Sequence, residues 1–190
     1  MDHERELLER ARSGDTGAFD EIVTGHRTRI YALVFQILRN EDDALDLTQD
    51  TFIRAWRSLD KFDGRHPLAT WLHRIATNAA IDLIRRRQAR PQCELTDGPM
   101  AVDPASRTTP SAAEVPGVAL DRRDLRAILD RALASLSPEH RAVVVLREVE
   151  ELSYEEIAGR TKASMGTVMS RLFYARKHLQ NLLKDAHEEF

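Results

Sequence analysis

The sequence predicts an all-α protein of two small helical domains joined by a flexible linker. In both halves of the 190-residue chain, apolar residues recur at three- and four-residue spacing, the period of a helix with one buried face. No segment alternates with a period of two for long enough to form a convincing strand. Five of the seven prolines fall between residues 91 and 117, a stretch without any helical period. Such a composition is typical of a flexible tether.

The N-terminal domain, residues 1–90, is predicted to contain four or five helices. A turn near Asp15 precedes an amphipathic segment, and the apolar residues of 30–38 continue the helical period. Asn40 can cap the next helix, because three acidic residues follow it in the first turn, where the helix dipole favours anions. This helix is expected to end near Arg57.

A loop and one further helix complete the domain. Residues 61–66 have no apolar period, and Pro67 suits the start of a helix that reaches about Arg90. Residues 91–120 form the predicted linker. It contains Cys93, the one cysteine of the chain, which cannot form an internal disulfide and so agrees with a reducing compartment.

The C-terminal domain, residues 121–190, contains four predicted helices. They lie near 121–135, 138–150, 153–161 and 164–184. Ser153 and Glu156 have the spacing of a capping box. A short helix, a tight turn and a longer basic helix form a helix-turn-helix pattern. Any small three-helix bundle can mimic that pattern, so it indicates DNA binding only together with other signals.

The net charge of −3 is unevenly distributed along the chain. Residues 64–92 hold six basic groups and one acidic group, and residues 160–184 hold six basic groups and no acidic group. Attraction to phosphate is local, so these two basic islands can hold DNA while the acidic remainder weakens unaided binding. A solvated helix face accounts for either island alone, but it accounts less well for the pair.

Composition and motifs argue against membrane proteins, enzymes and metal proteins. The first residues are charged and no apolar signal core follows them. Apolar runs such as 142–146 are far too short to span a bilayer. The chain lacks a phosphate-binding glycine loop, a His-Glu-x-x-His motif and paired Cys-x-x-Cys motifs, and its seven histidines have no metal-ligand spacing. We therefore expect a cytoplasmic protein without membrane insertion, catalytic residues, metal or cofactor.

Two blocks of sequence give a more specific signal. The first is DALDLTQDTFIRAW at 43–56, continued by TWLHRIATNAAID from residue 70 and by three arginines at 85–87. The second combines LSPEHR from residue 136, LSYEEIA from 152 and GTVMSRL from 166. The first resembles region 2, and the second region 4, of the extracytoplasmic-function (ECF) sigma factors of RNA polymerase. The resemblance covers about 160 residues, in the family's order, with no long region 3 between the blocks.

This resemblance implies a subunit that binds core RNA polymerase, recognises the −35 and −10 promoter elements and promotes DNA opening. The implied partners are the β′ coiled coil and β flap of the core, promoter DNA, and an anti-sigma factor, a form of control common in the family. A repressor or activator with the same helix-turn-helix would leave the block at 43–56 unexplained. An enzyme is the second alternative, and the missing catalytic motifs argue against it.

The resemblance assigns core binding to one face of the helix at 41–57. Its candidate residues are Asp46, Gln49 and Asp50. Helical spacing places Leu45, Phe52 and Trp56 on one side of this helix and the three candidate residues largely on another. Spacing alone favours a solvated acidic face, and the resemblance reverses that preference.

The −10 element is assigned to the helix that follows Pro67 and to the loop before it. The candidate residues are Lys61, Arg65, Trp71, His73, Arg74, Asn78, Arg85, Arg86 and Arg87. Arginines can contact phosphates or base edges. Trp71 can stack on an unpaired base, but a core tryptophan is an equally good interpretation. By resemblance, His73, Asn78 and the loop 61–66 help to form a pocket for a flipped base, whose capture offsets the cost of unstacking.

The −35 element is assigned to the last helix, which should enter the major groove. The candidate residues are Ser164, Thr167, Met169, Ser170, Arg171, Phe173, Tyr174, Arg176 and Lys177. The expected packing stripe is Val168, Leu172, Ala175 and Leu179. Arg171 can pair bidentately with guanine, whereas Arg176 and Lys177 can hold phosphates. Met169 stands where the family often has Lys or Arg, and Lys162 stands where it commonly has glycine in the turn.

Overall fold

The computed structural model describes residues 2–89 and 122–188, and the chain divides into two compact units, Met1–Arg87 and Gln88–Phe190. The first unit contains α1 (Asp2–Arg12), α2 (Thr16–Leu38), α3 (Glu41–Arg57), a 3-10 turn (Leu59–Lys61) and all but the last two residues of α4 (Leu68–Ala89). The second contains α5 (Arg122–Ala134), α6 (Pro138–Glu148), α7 (Tyr154–Thr161) and α8 (Met165–Glu188). The described ranges contain no strand, so the all-α prediction is confirmed. The predicted linker at 91–120 lies outside the described residues.

Polar side chains define the ends of the helices in the first unit. The carboxylate of Asp15 accepts the amide of Ala18 at 3.1 Å, and the side chain of Asn40 accepts the amide of Asp43 at 2.9 Å. Each satisfies one of the backbone donors that a helix leaves unpaired at its N-terminus. The expected cap at Asn40 is therefore confirmed, and α3 ends at Arg57 as predicted.

The core of the first unit forms where α2, α3 and α4 bury their apolar faces. Ile30, Ile37 and Leu72 are fully buried, and the Phe19 and Trp56 rings pack with their centroids 4.9 Å apart. Truncating a residue such as Leu72 to alanine is expected to cost about 2–5 kcal/mol, because a cavity is left behind. This packing fixes the positions of α3 and α4, and with them the positions of the exposed side chains on these two helices.

The turn that precedes α4 is held by the first helix. The Arg12 guanidinium donates to the carbonyl oxygen of Phe62 and, at 3.4 Å, to that of Leu59. The Phe62 side chain is itself buried. The segment between α3 and α4 is therefore anchored at its start, before the exposed residues 63–67.

The second unit contains the predicted helix-turn-helix. Ser153 and Glu156 form the expected reciprocal capping box, with bonds of 3.2 and 2.8 Å. On α8, Val168, Leu172 and Ala175 are buried, as predicted, and Leu179 is half-buried. The opposite face of α8 remains exposed.

The turn between α7 and α8 passes through a left-handed residue that is not glycine. Lys162 ends α7 with φ 53° and ψ 34°, and the amide of this residue donates to the carbonyl of Ala158. The chain thus keeps the left-handed turn despite the lysine found there. Residues with a Cβ atom are strained in this conformation by roughly 1–2 kcal/mol.

We expect Lys162→Gly to stabilise the second unit by about 0.5–1 kcal/mol, the relieved strain less the greater chain entropy of glycine. Urea denaturation of the full chain measures this, because circular dichroism reports both units. Both tryptophans, Trp56 and Trp71, lie in the first unit, so their fluorescence isolates its transition. Lys162→Ala is the control, since it removes the charge and keeps the strain. Equal effects of the two changes would contradict a backbone origin.

Candidate functional site

An open groove of about 1040 Å³ runs between α2 and α3. On the α3 side it is lined by Leu45, Asp46, Gln49 and Ile53, among others. Val23, Arg27 and Tyr31 line it from α2. The structure therefore brings together Asp46 and Gln49, two of the three candidate core-binding residues, on a surface that mixes polar and apolar groups.

Leu45 lies on the same side of α3 as Phe52 and Trp56, but the protein covers it less. Phe52 is buried and Trp56 is half-buried, but the Leu45 side chain is 50% exposed. The three share one side of α3, and the groove leaves the part of that side around Leu45 uncovered. Ile53, which is 41% exposed, was not singled out in the sequence. The candidate surface is consequently more apolar than a solvated acidic face would be.

Asp50, the third candidate, has a partner on its own helix and is not among the groove-lining residues. Its carboxylate accepts from the Arg54 guanidinium at 2.6 Å, with both side chains 45% exposed. Exposed pairs of this spacing contribute only about 0.3–0.5 kcal/mol, so a stronger partner can displace Arg54.

Several −10 candidates lie along one face of α4. Arg74, Asn78 and Asp82 are exposed and follow one another at four-residue spacing, which places them on neighbouring turns of the same face. Arg85 continues this face and donates to Asp82 at 3.3 Å. Arg86 is exposed close by. This face of α4 therefore places the positive charges of Arg74, Arg85 and Arg86 around the Asn78 amide. The carboxylate of Asp82 is already paired with Arg85.

Trp71 packs against the protein rather than standing free. Its ring lies 5.1 Å from that of Phe62, and the half-buried side chain contacts the core of the first unit. This favours the core interpretation. His73 is half-buried. In the preceding loop, Lys61 and Arg65 are exposed, and Arg65 pairs with Asp63 at 3.4 Å.

The last of the three consecutive arginines has a partner within the protein. Both terminal nitrogens of Arg87 donate to the Asp43 carboxylate at 2.6 Å. This bidentate pair joins the end of α4 to the first turn of α3, and Asp43 is only 18% exposed. The geometry therefore gives Arg87 a structural role beside the DNA contact that the sequence predicts.

The exposed face of α8 contains most of the −35 candidates. Ser164, Met169, Ser170, Phe173, Tyr174 and Lys177 are exposed. Thr167 and Arg171 are half-buried. Arg176 donates to Glu148 of α6 at 2.6 Å, so its guanidinium also braces two helices of the unit.

Three hydroxyl groups of this face are engaged in the helix itself. The Ser164 Oγ accepts the amide of Thr167 at 3.1 Å and lies 2.8 Å from the Thr167 Oγ1. The Ser170 Oγ donates to the Thr167 carbonyl oxygen at 3.0 Å. These bonds order the first turns of α8, where helix-turn-helix proteins contact base edges.

His140 was not identified as a candidate in the sequence. Its Nδ1 lies 2.8 Å from the Ser137 Oγ, at the start of α6. Burial, followed by the positive charge of Arg171, lowers the pKa of His140 below the ordinary value of 6.5, with Glu139 opposing and His178 adding to the shift. A charged His140 is thus disfavoured close to Arg171.

Because its native pKa is lowered, His140 should make the protein less stable in acid. Its contribution is complete above the unfolded value of 6.5 and is lost as pH falls from there through the lower native pKa. In urea denaturation between pH 7.5 and 5, His140→Gln should lose less stability than the parent. His66→Gln, at an exposed loop residue, is the control. An unchanged pH dependence in His140→Gln would contradict the assignment.

The described ranges contain neither a cluster of metal ligands nor a helix suited to a membrane. Across 2–89 and 122–188, no group of three or more His, Cys, Asp or Glu side chains could hold a metal ion. Within the same residues, none of the helices is long and apolar enough to span a bilayer.

Known proteins match both units. The family model "Sigma-70 region 2" matches residues 22–90, and the model "Sigma-70, region 4" matches residues 126–179. The chain is 40% identical to the ECF RNA polymerase sigma factor SigE of Mycolicibacterium smegmatis, over 90% of the chain but only 65% of that relative's length. It is 35% identical to the ECF RNA polymerase sigma-E factor of Escherichia coli K12, over 92% of the chain and 91% of the relative.

A solved structure also resembles the chain. It is the sigma factor RpoE of Bartonella quintana in complex with the anti-sigma factor NepR, with a TM-score of 0.54 and 27% identity over 87% of this chain and 96% of that one. The two family models lie in sequence order on the two units that the structure separates. Because the Escherichia coli sigma-E factor is matched at 35% identity over 91% of its length, the chain belongs to the ECF RNA polymerase sigma factors.

Proposed function

We propose that this chain binds core RNA polymerase, directs it to promoters and promotes opening of the DNA. The observation that carries the proposal is the combination, in one chain, of the open α2–α3 groove with a separate helix-turn-helix unit. A repressor needs the second feature but not the first. Residues 1–90 would bind the core and the −10 element, residues 91–120 would connect the domains, and residues 121–190 would bind the −35 element.

Core binding is proposed for the face of α3 that lines the groove. Leu45 and Ile53 offer exposed apolar surface, and Asp46 and Gln49 offer polar groups beside them. Interfaces of this kind combine a buried apolar centre with hydrogen bonds that fix the partner's orientation. We propose the β′ coiled coil as the partner here, with Asp50 at the edge of the interface, and the β flap as a partner of the second unit.

The −10 function is proposed for the exposed face of α4. The cations of Arg74, Arg85 and Arg86 suit phosphate contacts, and the Asn78 amide can both donate to and accept from a base edge. The Trp71 ring, held by Phe62, would form a wall beside this face. We propose that an unpaired base is captured there, next to the loop that contains Lys61 and Arg65, with His73 and Arg87 supporting the site.

The −35 function is proposed for α8 in the major groove. Arg171 would contact base edges, and Lys177 would contact a phosphate. Arg176 already binds Glu148, so its proposed phosphate contact is an added role. Ser164, Thr167 and Ser170 would order the end of the helix that enters the groove.

Control by an anti-sigma factor is also proposed. The Bartonella RpoE structure contains the anti-sigma factor NepR, and a similar partner would compete with core polymerase for this chain. The proposed activity needs no metal, cofactor or catalytic residue of its own. It places the protein in the cytoplasm, where the polymerase and its template are found.

Run-off transcription with purified core polymerase tests the proposal. Genomic fragments are transcribed with and without the protein, and the start sites are mapped. We expect stoichiometric binding to core and new starts that share −35 and −10 elements. Sequence-specific DNA binding without core binding would instead indicate a repressor or activator and overturn the proposal.

A further inference from the structure

An apolar stripe lies exposed on the outward face of α8. Met165, Met169 and Phe173 follow one another at four-residue spacing, and Tyr174 lies beside Phe173. Met169 is 53% exposed and Phe173 is 62% exposed. Side chains four residues apart lie on neighbouring turns of one helix face. The three therefore form a continuous strip along the first turns of α8.

Packing of the unit does not explain this stripe. The buried face of α8 consists of Val168, Leu172 and Ala175, which point into the core of the unit. Phe173 and Tyr174 contact each other edge to face, with centroids 5.5 Å apart. A helix that only faced water would carry polar residues here, so the stripe indicates an apolar group in a binding partner.

The surroundings of the stripe fit a polyanion. Residues 160–184 contain six basic groups and no acidic group. Lys162 and Lys177 are exposed near the two ends of the stripe. Basic groups around an apolar strip suit the phosphate backbones that border the major groove, whereas an apolar protein surface would gain nothing from these charges.

Only one apolar group projects from base edges into the major groove, the C5 methyl of thymine. We propose that Met165, Met169 and Phe173 contact thymine methyl groups in the −35 element, and that these contacts help to select its sequence. A helix along the groove separates Met165 from Met169 by about 6 Å, close to two base-pair steps of about 3.4 Å each. The inference rests on the proposed function and deepens it by naming the chemistry that α8 recognises.

Replacement of thymine by deoxyuridine tests the inference, because it removes the methyl group and keeps base pairing. A promoter is first mapped with the holoenzyme formed from core and the full chain. Each −35 thymine is then replaced in synthetic templates, and promoter-complex formation is measured. We expect a loss of about three- to fivefold for each contacted methyl, the value of one buried methyl-sized group. Deoxyuridine in the spacer is the control.

Two substitutions of Met169 test whether the preference for thymine over deoxyuridine arises from the stripe. Met169→Leu keeps an apolar side chain and should retain a preference for thymine over deoxyuridine. Met169→Gln has similar length but a polar end, and should lose the preference at one position. Both should keep the core binding that the α2–α3 groove provides, since Met169 lies outside this groove.

The outcomes separate this inference from the proposed function. Promoter-specific initiation that is equally efficient on thymine and deoxyuridine templates, or a −35 element without thymine, overturns the inference and leaves the function intact. Loss of core binding by Met169→Gln, with no effect of deoxyuridine, would assign the stripe to a protein partner and also overturn it. Absence of any core-dependent initiation overturns both.

Discussion

A double variant, Asp46→Arg with Gln49→Ala, should bind core RNA polymerase at least tenfold more weakly than the parent, a loss of about 1.4 kcal/mol or more. Both side chains line the α2–α3 groove and are exposed, so the change alters the proposed interface without disturbing the buried core. Reversing a charge within an interface replaces an attraction with a repulsion and leaves the partner's groups unpaired. Competition with the parent protein for labelled core measures the effect.

The matched control is Glu6→Arg, which makes the same change of charge at an exposed residue of α1 outside the groove. It should compete like the parent. Thermal unfolding of both variants checks that the first unit remains folded. A folded double variant that competes as well as Glu6→Arg would show that the core binds elsewhere.

A third variant separates the apolar part of this surface from the polar part. Leu45→Ser removes an exposed side chain, so it should cost little stability, and surface changes are usually within about 0.5 kcal/mol. If the groove binds an apolar segment of core, this change weakens competition as well. An effect of the double variant alone would restrict the interface to its polar groups.

The helices could be predicted because their signals are local. The cap at Asn40, the capping box of Ser153 and Glu156 and the three- and four-residue apolar spacing each depend on residues within one or two turns. Even the strained turn at Lys162 is visible in the sequence, as a lysine where the related proteins commonly have glycine. The structure places the two caps as expected, and it keeps the left-handed turn at Lys162 where the lysine suggested a different one.

The contacts that brace the candidate surfaces could not be predicted in this way. Arg12 binds a carbonyl group 50 residues away, Arg87 binds a carboxylate 44 residues away and Arg176 one 28 residues away. No periodicity relates such residues, since their proximity results from how the helices pack. Some arginines of the basic islands therefore also stabilise the fold through contacts within the protein. A count of arginines along the sequence assigns all of them to DNA.

The exposure of Leu45 could not be predicted, for a related reason. Helical spacing gives the side of α3 on which Leu45 lies, but not whether α2 covers that part of it. The stripe of Met165, Met169 and Phe173 on α8 is visible as a spacing in the sequence. That these side chains are exposed follows only from the structure, in which Val168 and Leu172 occupy the buried face of α8. Their exposure is what indicates a binding surface.

Promoter recognition should divide between the two units, and two alanine variants should show this. Arg171→Ala removes a candidate bidentate contact to guanine, worth roughly 1–3 kcal/mol of discrimination between bases. It should weaken selection of the −35 element about 5- to 150-fold and leave core binding intact. Lys177→Ala is the matched control, because loss of a phosphate contact weakens binding to all sequences alike and lessens the salt dependence.

Asn78→Ala should instead impair DNA opening, since a pocket for an extruded base acts only after that base leaves the stack. Loss of a hydrogen bond to the captured base is expected to cost about 1–3 kcal/mol, again about 5- to 150-fold in the yield of open complexes. Asn78 is exposed on α4, so the variant should fold normally. Permanganate reactivity of unpaired thymines at the −10 element measures the opening directly.

A template with a mismatched −10 region distinguishes the two defects. Pre-melting supplies the unstacking energy in advance, so it should partly rescue Asn78→Ala if this residue helps to drive opening. It should leave the −35 defect of Arg171→Ala unchanged, because the contact proposed for Arg171, in the second unit, is to DNA that stays double-stranded. Low salt should restore Lys177→Ala more than Arg171→Ala, since only the former is a purely electrostatic loss. If Asn78→Ala and Arg171→Ala respond alike to both treatments, recognition and opening are not divided between α8 and α4.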